Sequence, residues 1–245
     1  MNIATRMTEW RRGGCTAKSY VRDGLFAMWD GIENAGWGVH DPHATVWRDL
    51  VGGYDADYWG TGTPTWDKNG IDMATNSPFD NRTLVQSVLG SPCVCDVEFV
   101  ANPILDRNGY QGVTGKQGDG KKGIEALSRE PSSAVVQIRL ADNGVKLEVA
   151  KSAVCLGRIA SYRSSFRGNE AGVAFYVNGA KIASQEFTVA AMSGVNYIGW
   201  CLGQSYGGAG RNMTGTINAV RIYNRTLTDG EIAANYAVDR KRFGI

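Results

Sequence analysis

From Gly24 onward the chain is a series of short apolar or alternating runs separated by clusters of Gly, Asn, Asp and Ser, the pattern of strands joined by turns. Strands are predicted at GLFAMW, TVWRDL, NGIDMA, CVCDVEFVA, AVVQIRL, VKLEVA, AVCLGRIA, GVAFYVN, AKIASQEFTV, NYIGW and GTINAVRIYN. Asn143-Gly144 and Asn178-Gly179 each stand between two such runs. Asn-Gly readily takes the positive φ angles of a type I′ turn, so both predict antiparallel hairpins. In LTDGEIAANYAV the period changes: Thr228 stands three residues before Glu231, as in a capping box, and Ile232, Ala233 and Tyr236 form an apolar face. This predicts a short terminal helix. The glycine- and lysine-rich stretch from Asp106 to Arg129 reads as a mobile surface excursion, and DNRTLVQSVLG fits either a short helix or an extended connection.

Residues 1–22 lack this pattern and carry Arg6, Arg11, Arg12, Lys18 and Arg22 against Glu9. They read as a basic N-terminal arm for docking or an oligomer contact, with residues 23–245 as one all-β sandwich. No solenoid repeat or linker divides the chain.

Composition narrows the function classes. The 245 residues include 32 glycines and 6 prolines, and 26 basic against 24 acidic side chains give a net charge of +2. That is a turn-rich globular protein with no basic excess for nucleic acid. No apolar stretch approaches the ~18 residues of a spanning helix, and no apolar core follows the early arginines, so neither a membrane segment nor a signal peptide is expected. Five cysteines without a C-x-x-C pair exclude zinc-finger and thioredoxin readings. Cys93 and Cys95 point to one face of a strand without bridging geometry, and all five are expected as buried free thiols. His40 and His43, the two histidines, lie in HDPH, where a polar proline loop explains them better than a transition metal.

The C-terminal third carries a resemblance. Tyr176-Val177-Asn178-Gly179, Ile198-Gly199, Gly215 through Leu227 and the helix at Thr228–Tyr236 follow the order "YVNG" hairpin, "IG" strand, variable loop, "G-x-I-D-E-V-R-I-Y-N-R-A-L-S" strand and helix. This resembles the concanavalin A-like jelly roll of the laminin G-like group. GLFAMWDGIENAG and ATVWRDLVGG look like the group's first strand and following turn. The resemblance implies two antiparallel sheets packed face to face, with loops at one edge available for ligands. It implies glycan binding, glycan hydrolysis or protein adhesion without choosing among them.

Hydrolysis ranks last, because the E-x-D-x-x-E strand of laminarinase-type relatives is missing; Asp96 and Glu98 are the nearest pair and read as an exposed acidic strand face. The resemblance also implies a calcium ion. The motif's usual Asp is Asn218 here, with Asp30 and Asp49 as further oxygen ligands and Asp41 and Asp55 in similar loops. Five of the seven tryptophans fall between residues 29 and 66. Trp29 and Trp47 sit in strand patterns and are assigned to the core. Trp37, Tyr58 and Trp59 lie in glycine-rich loops, and Gln204, Tyr206, Arg211 and Asn212 lie in the variable loop. Flat rings for sugar C–H faces, with amides and a guanidinium for hydroxyls, are a lectin-like set. For any single ring, capping the sandwich end is the competing explanation.

The expectation is a non-catalytic glycan-binding or adhesion module, bound to a cell-surface polysaccharide. The absent signal peptide, free thiols and basic arm place it on a phage capsid or tail particle, made in the host cytoplasm and contacting other virion subunits through the arm. The rival expectation is a structural decoration protein without sugar binding.

Overall fold

The computed structural model describes residues 15–73, 76–85, 89–105, 111–116, 123–129, 133–141, 144–193, 198–204 and 212–245. In chain order the strands are β1 (Leu25–Asp30), β2 (Val46–Trp47), β3 (Ala56–Tyr58), β4 (Ile71–Asp72), β5 (Phe79–Val85), β6 (Val94–Ile104), β7 (Gln111–Lys116) and β8 (Gly123–Arg129). They continue with β9 (Val135–Ala141), β10 (Val145–Ala150), β11 (Ala160–Arg167), β12 (Gly172–Val177), β13 (Ala180–Glu186), β14 (Ile198–Leu202) and β15 (Thr214–Tyr223), and one helix follows, α1 (Asp229–Phe243). Sheet one has the order β1-β15-β6-β11-β12-β13, with β4 also on β15; sheet two has the order β10-β9-β8-β7-β14-β5-β3-β2. All these strand pairings are antiparallel. The predicted all-β sandwich with a terminal helix is what the chain forms.

Alternation builds the core. In β6, Val97, Phe99 and Ala101 enter the space between the sheets, joined by Trp29, Trp47, Trp66, Phe79, Tyr162, Phe175 and Trp200. Trp47 meets Trp66 edge-on with ring centres 4.9 Å apart, and Phe99 stacks on Tyr162 at 5.1 Å. Trp29 and Trp47 are fully buried, as the sequence predicts. The β12–β13 hairpin turns on Asn178 and Gly179, with φ of 51° and 78° and Val177 paired to Ala180. In the other predicted hairpin Val145 pairs with Leu140 and Gly144 has φ 72°, while residues 142 and 143 lie outside the described residues.

Several expectations are corrected. Residues 106–129 are not a loop excursion, since they contribute β7 and β8 to the middle of sheet two. Gly112 and Gly115 break the apolar pattern there, and pairing with β14 and β9 supplies the order that local preference lacks. In DNRTLVQSVLG, residues 80–85 are extended as part of β5, and residues 86–88 lie outside the described residues. AVCLGRIA is strand only from Ala160, and β11 runs on through the polar ASYRSSFR. The five cysteines are free, but only Cys93, Cys95 and Cys201 are buried, Cys15 and Cys155 being half-buried, and the Cys93 and Cys95 Sγ atoms lie 3.9 Å apart.

Asp96 and Glu98 are not an exposed acidic face. They point out of sheet one, where α1 covers them, at 0% and 4% exposure. The capping box is present, with Thr228 accepting from Glu231 N–H, and Gly244 ends the helix at φ 75°. Beneath α1, Arg221 donates to Glu98 (3.0 Å) and, through both terminal nitrogens, to Asp239 (3.0 and 2.9 Å). Arg163 donates to Asp96 at 2.8 Å, and Arg242 to Asp30 at 2.7 Å. Burial pushes the Asp30, Asp96 and Glu98 carboxyls up, against the opposing pull of Arg242, Arg163 and Arg221 respectively.

The end of the basic segment joins this network. Tyr20 is buried, its hydroxyl donates to Asp239 at 2.8 Å, and the Arg221 guanidinium lies 3.9 Å from its ring centre. Val21 N–H donates to the Asn235 side chain, and Ala17 N–H to Glu33. Residues 15–22 therefore pack on their own domain; residues 1–14 lie outside the described residues.

Candidate functional site

Among the described residues no helix covers the outer face of sheet two, and its register sets out what that face presents. Asp57 is level with Asp80, and Asp80 with Cys201. Cys201 is level with Gly115, and Glu125 with Arg139 and then Lys146. The middle of this row is closed off: Cys201 and Glu125 are buried, with Arg139 Nε on Glu125 Oε2 at 2.8 Å. Exposed groups gather at its two ends.

At the β2–β3 end, Trp47 and Ala56 turn inward as a pair, so Arg48, Asp55 and Asp57 take the outer side. Tyr58 goes inward onto Phe79 with ring centres 5.4 Å apart, and the ladder continues through Trp59 N–H to Pro78 O. Alternation then returns Trp59 to the outer side, 46% exposed. The result is an exposed indole on the same side of the strand as the Asp57 carboxylate and, further along it, the Arg48–Asp55 ion pair.

Asp49 holds this edge. Its carboxylate accepts from Met28, Val51, Gly52 and Tyr54 N–H, and its own N–H donates to Asp55 Oδ1. The Asn81 amide donates to Asp55 O. A tight loop of main-chain donors on these carboxylates thus fixes where Asp55, and through it Arg48, stands.

The structure separates residues that the sequence grouped. Trp37, 37% exposed, is engaged by Lys18 Nζ at 5.4 Å and the Arg22 guanidinium at 5.3 Å, beside the N-terminal segment. No ring contact among the described residues joins it to Tyr58 or Trp59. The Tyr58 hydroxyl accepts from Ser77 N–H, and its ring belongs to the core margin. Gln204 is buried and its amide donates to Asn212 Oδ1 at 2.8 Å, so this pair closes the base of the variable loop; Tyr206 and Arg211 lie outside the described residues. Trp59 is the predicted ring that stands open on the outer side of sheet two. Arg48 and Asp57 were missed, although the strand alternation in TVWRDL and DADYW was enough to place them together.

The calcium set does not fit a metal. Asp30 is buried on Arg242 and also accepts from Ile32 N–H, and the Asp49 oxygens are taken by four main-chain donors. The Asn218 amide donates to Asn69 O, and its oxygen accepts from the Thr216 hydroxyl. Among the described residues no three His, Cys, Asp or Glu side chains gather to hold an ion. His40 Nδ1 faces Gly31 O at 3.1 Å and His43 N–H donates to Asp41, which makes HDPH a structural loop.

Two antiparallel sheets packed face to face, with one terminal helix on the outer side of sheet one, are the arrangement of a concanavalin A-like jelly roll. Residues 137–233 match the laminin G-like family model described as the concanavalin A-like lectin/glucanases superfamily. No curated protein matches the sequence. Among solved structures, a mutant of Trypanosoma rangeli sialidase displaying trans-sialidase activity is 14% identical at a TM-score of 0.63, covering 99% of this chain and 39% of that one. Trypanosoma rangeli sialidase in complex with sialic acid gives 14% identity and a TM-score of 0.60, covering 97% and 38%. These likenesses are of fold, and the chain spans less than two fifths of those sialidases. The CBM40 module of Ruminococcus gnavus IT-sialidase, solved bound to alpha2,3 sialyllactose, is 18% identical over 58% of this chain and 82% of its own at a TM-score of 0.44.

Proposed function

We propose that the protein is a non-catalytic glycan-binding module, with its sugar site on the outer face of sheet two at the β2–β3 end. The supporting observation is the exposed Trp59 indole, which leaves the strand on the same side as Asp57 and the Arg48–Asp55 pair. An indole face stacks on sugar C–H groups, while carboxylate and guanidinium bind hydroxyls in fixed directions. The superfamily matched over residues 137–233 is one of lectins and glucanases, which is consistent with this reading. Asp96 and Glu98, the acids considered for hydrolysis, are buried under α1 and paired with arginines.

A glycan array tests the proposal. The wild type binds a defined subset, Trp59→Ala loses it, and Asp57→Ala weakens it. A blank array, or binding untouched by both changes, overturns the site. Release of sugar from the bound glycan, abolished by Asp57→Asn, would replace the lectin with a hydrolase. Display on a phage particle, with residues 1–14 as the contact to other subunits, belongs to the same proposal and rests on the basic leading segment and free thiols. Its check is whether the chain copurifies with particles.

A further inference from the structure

The two sheets end on four edges, and three are protected against pairing with another chain. β2 is two residues long. β1 is bridged by residues that follow β2, with Leu50 N–H donating to Met28 O. β13 is interrupted by a bulge that inserts Ile182. Short edges, covered edges and bulges are the usual devices against edge-to-edge association.

β10 has none of these. It is a regular strand paired residue for residue with β9 from Val145 to Ala150, without proline, glycine or bulge, and among the described residues no strand lies beyond it. Lys151 N–H donates to Ala134 O in continuation of the ladder. By alternation the main-chain N–H and C=O groups of Lys146, Glu148 and Ala150 point away from β9. Val145, Leu147 and Val149 are buried in the core, and Lys146 and Glu148 stand on the outer face with side chains 44% exposed.

The sequence Val145-Lys146-Leu147-Glu148-Val149 is self-complementary in the antiparallel sense. We propose that β10 pairs with β10 of a second copy of this chain, about a two-fold axis at Leu147. Lys146 of each copy then stands across from Glu148 of the other, in pairs that exchange two main-chain hydrogen bonds each. Val145 stands across from Val149. Lys146 and Glu148 already form an ion pair at 2.8 Å within the chain, so the dimer extends it into an alternating square of four charges. The contact is isologous and closes at two copies. It joins the two eight-stranded sheets into one continuous sheet, at the end remote from Trp59.

Sedimentation equilibrium on the full chain tests this, with two single charge reversals. The wild type dimerises in the micromolar range. Lys146→Glu places four acids around the axis and Glu148→Lys four bases, and each weakens self-association by roughly tenfold or more. Mixing the two variants restores a dimer, because each Glu then faces a Lys of the other variant. That rescue distinguishes lost pairing from damaged folding, and unchanged melting temperatures of the single variants provide a second control. A wild type that stays monomeric to millimolar concentration, single variants that dimerise as the wild type does, or a mixture that remains monomeric would overturn the proposal.

Discussion

The Arg221 network makes a strong demand on a single oxygen pair. Asp239 is fully buried and accepts from Tyr20, Ser161 and both terminal nitrogens of Arg221, at 2.7 to 3.0 Å. Asp239→Asn keeps the shape, removes the charge and turns an N–H donor toward groups that themselves donate. Glu98 is then the remaining carboxylate on a guanidinium with no exposure. Removing one partner of a buried ion pair costs about 3–5 kcal/mol, and the lower end applies here because Glu98 still neutralises Arg221. For a urea dependence of about 3 kcal/mol per molar, the unfolding midpoint falls by about 1 M. Glu231→Gln, at a part-exposed pair with Arg225, serves as the control at about 1 kcal/mol or less. Equal midpoint shifts for Asp239→Asn and Glu231→Gln would refute the reasoning.

Three further outcomes follow from geometry. The Arg225 guanidinium and then the Thr228 N–H lower the Glu231 carboxyl from its ordinary 4.5 to about 2, so its stabilising contribution is present above pH 4.5 and disappears as pH falls through 2. Urea titrations of the wild type and Glu231→Gln should therefore converge toward pH 2. Gly215→Ala places a Cβ against the Asn102 carbonyl at φ 94° and lowers stability by at least about 2 kcal/mol, read as a fall in melting temperature. Tyr20→Phe removes the bond to Asp239 for about 1 kcal/mol, whereas Tyr20→Ala also empties the ring's place over Arg221 and costs about 3 kcal/mol. Deleting residues 1–20 should thus destabilise the core, as calorimetry would show.

Legibility in the sequence tracked how local each signal was. The Asn178-Gly179 hairpin and the Thr228–Glu231 capping box are defined by residues within a few positions of one another, and both were readable. β7, β8 and β11 were not, because Gly112, Gly115 and the polar run of β11 look like loop until their partners are known. The same blindness hid the fate of Asp96 and Glu98: their burial is caused by a helix more than a hundred residues away. For the site, an aromatic count found Trp59 but also drew in Trp37, whose contacts are to Lys18 and Arg22. Separating the two required knowing which face of which sheet each ring leaves from.

The docking of residues 15–22 and of α1 on the same side of sheet one gives the molecule a front and a back. Both described ends of the chain sit at the back, tied together through Asp239. Residue 15 and the last turn of α1 therefore both lie behind sheet one, with the thickness of the sandwich between them and Trp59. A ligand met at Trp59 and a partner held at the end of α1 would thus stand on opposite sides of the sandwich.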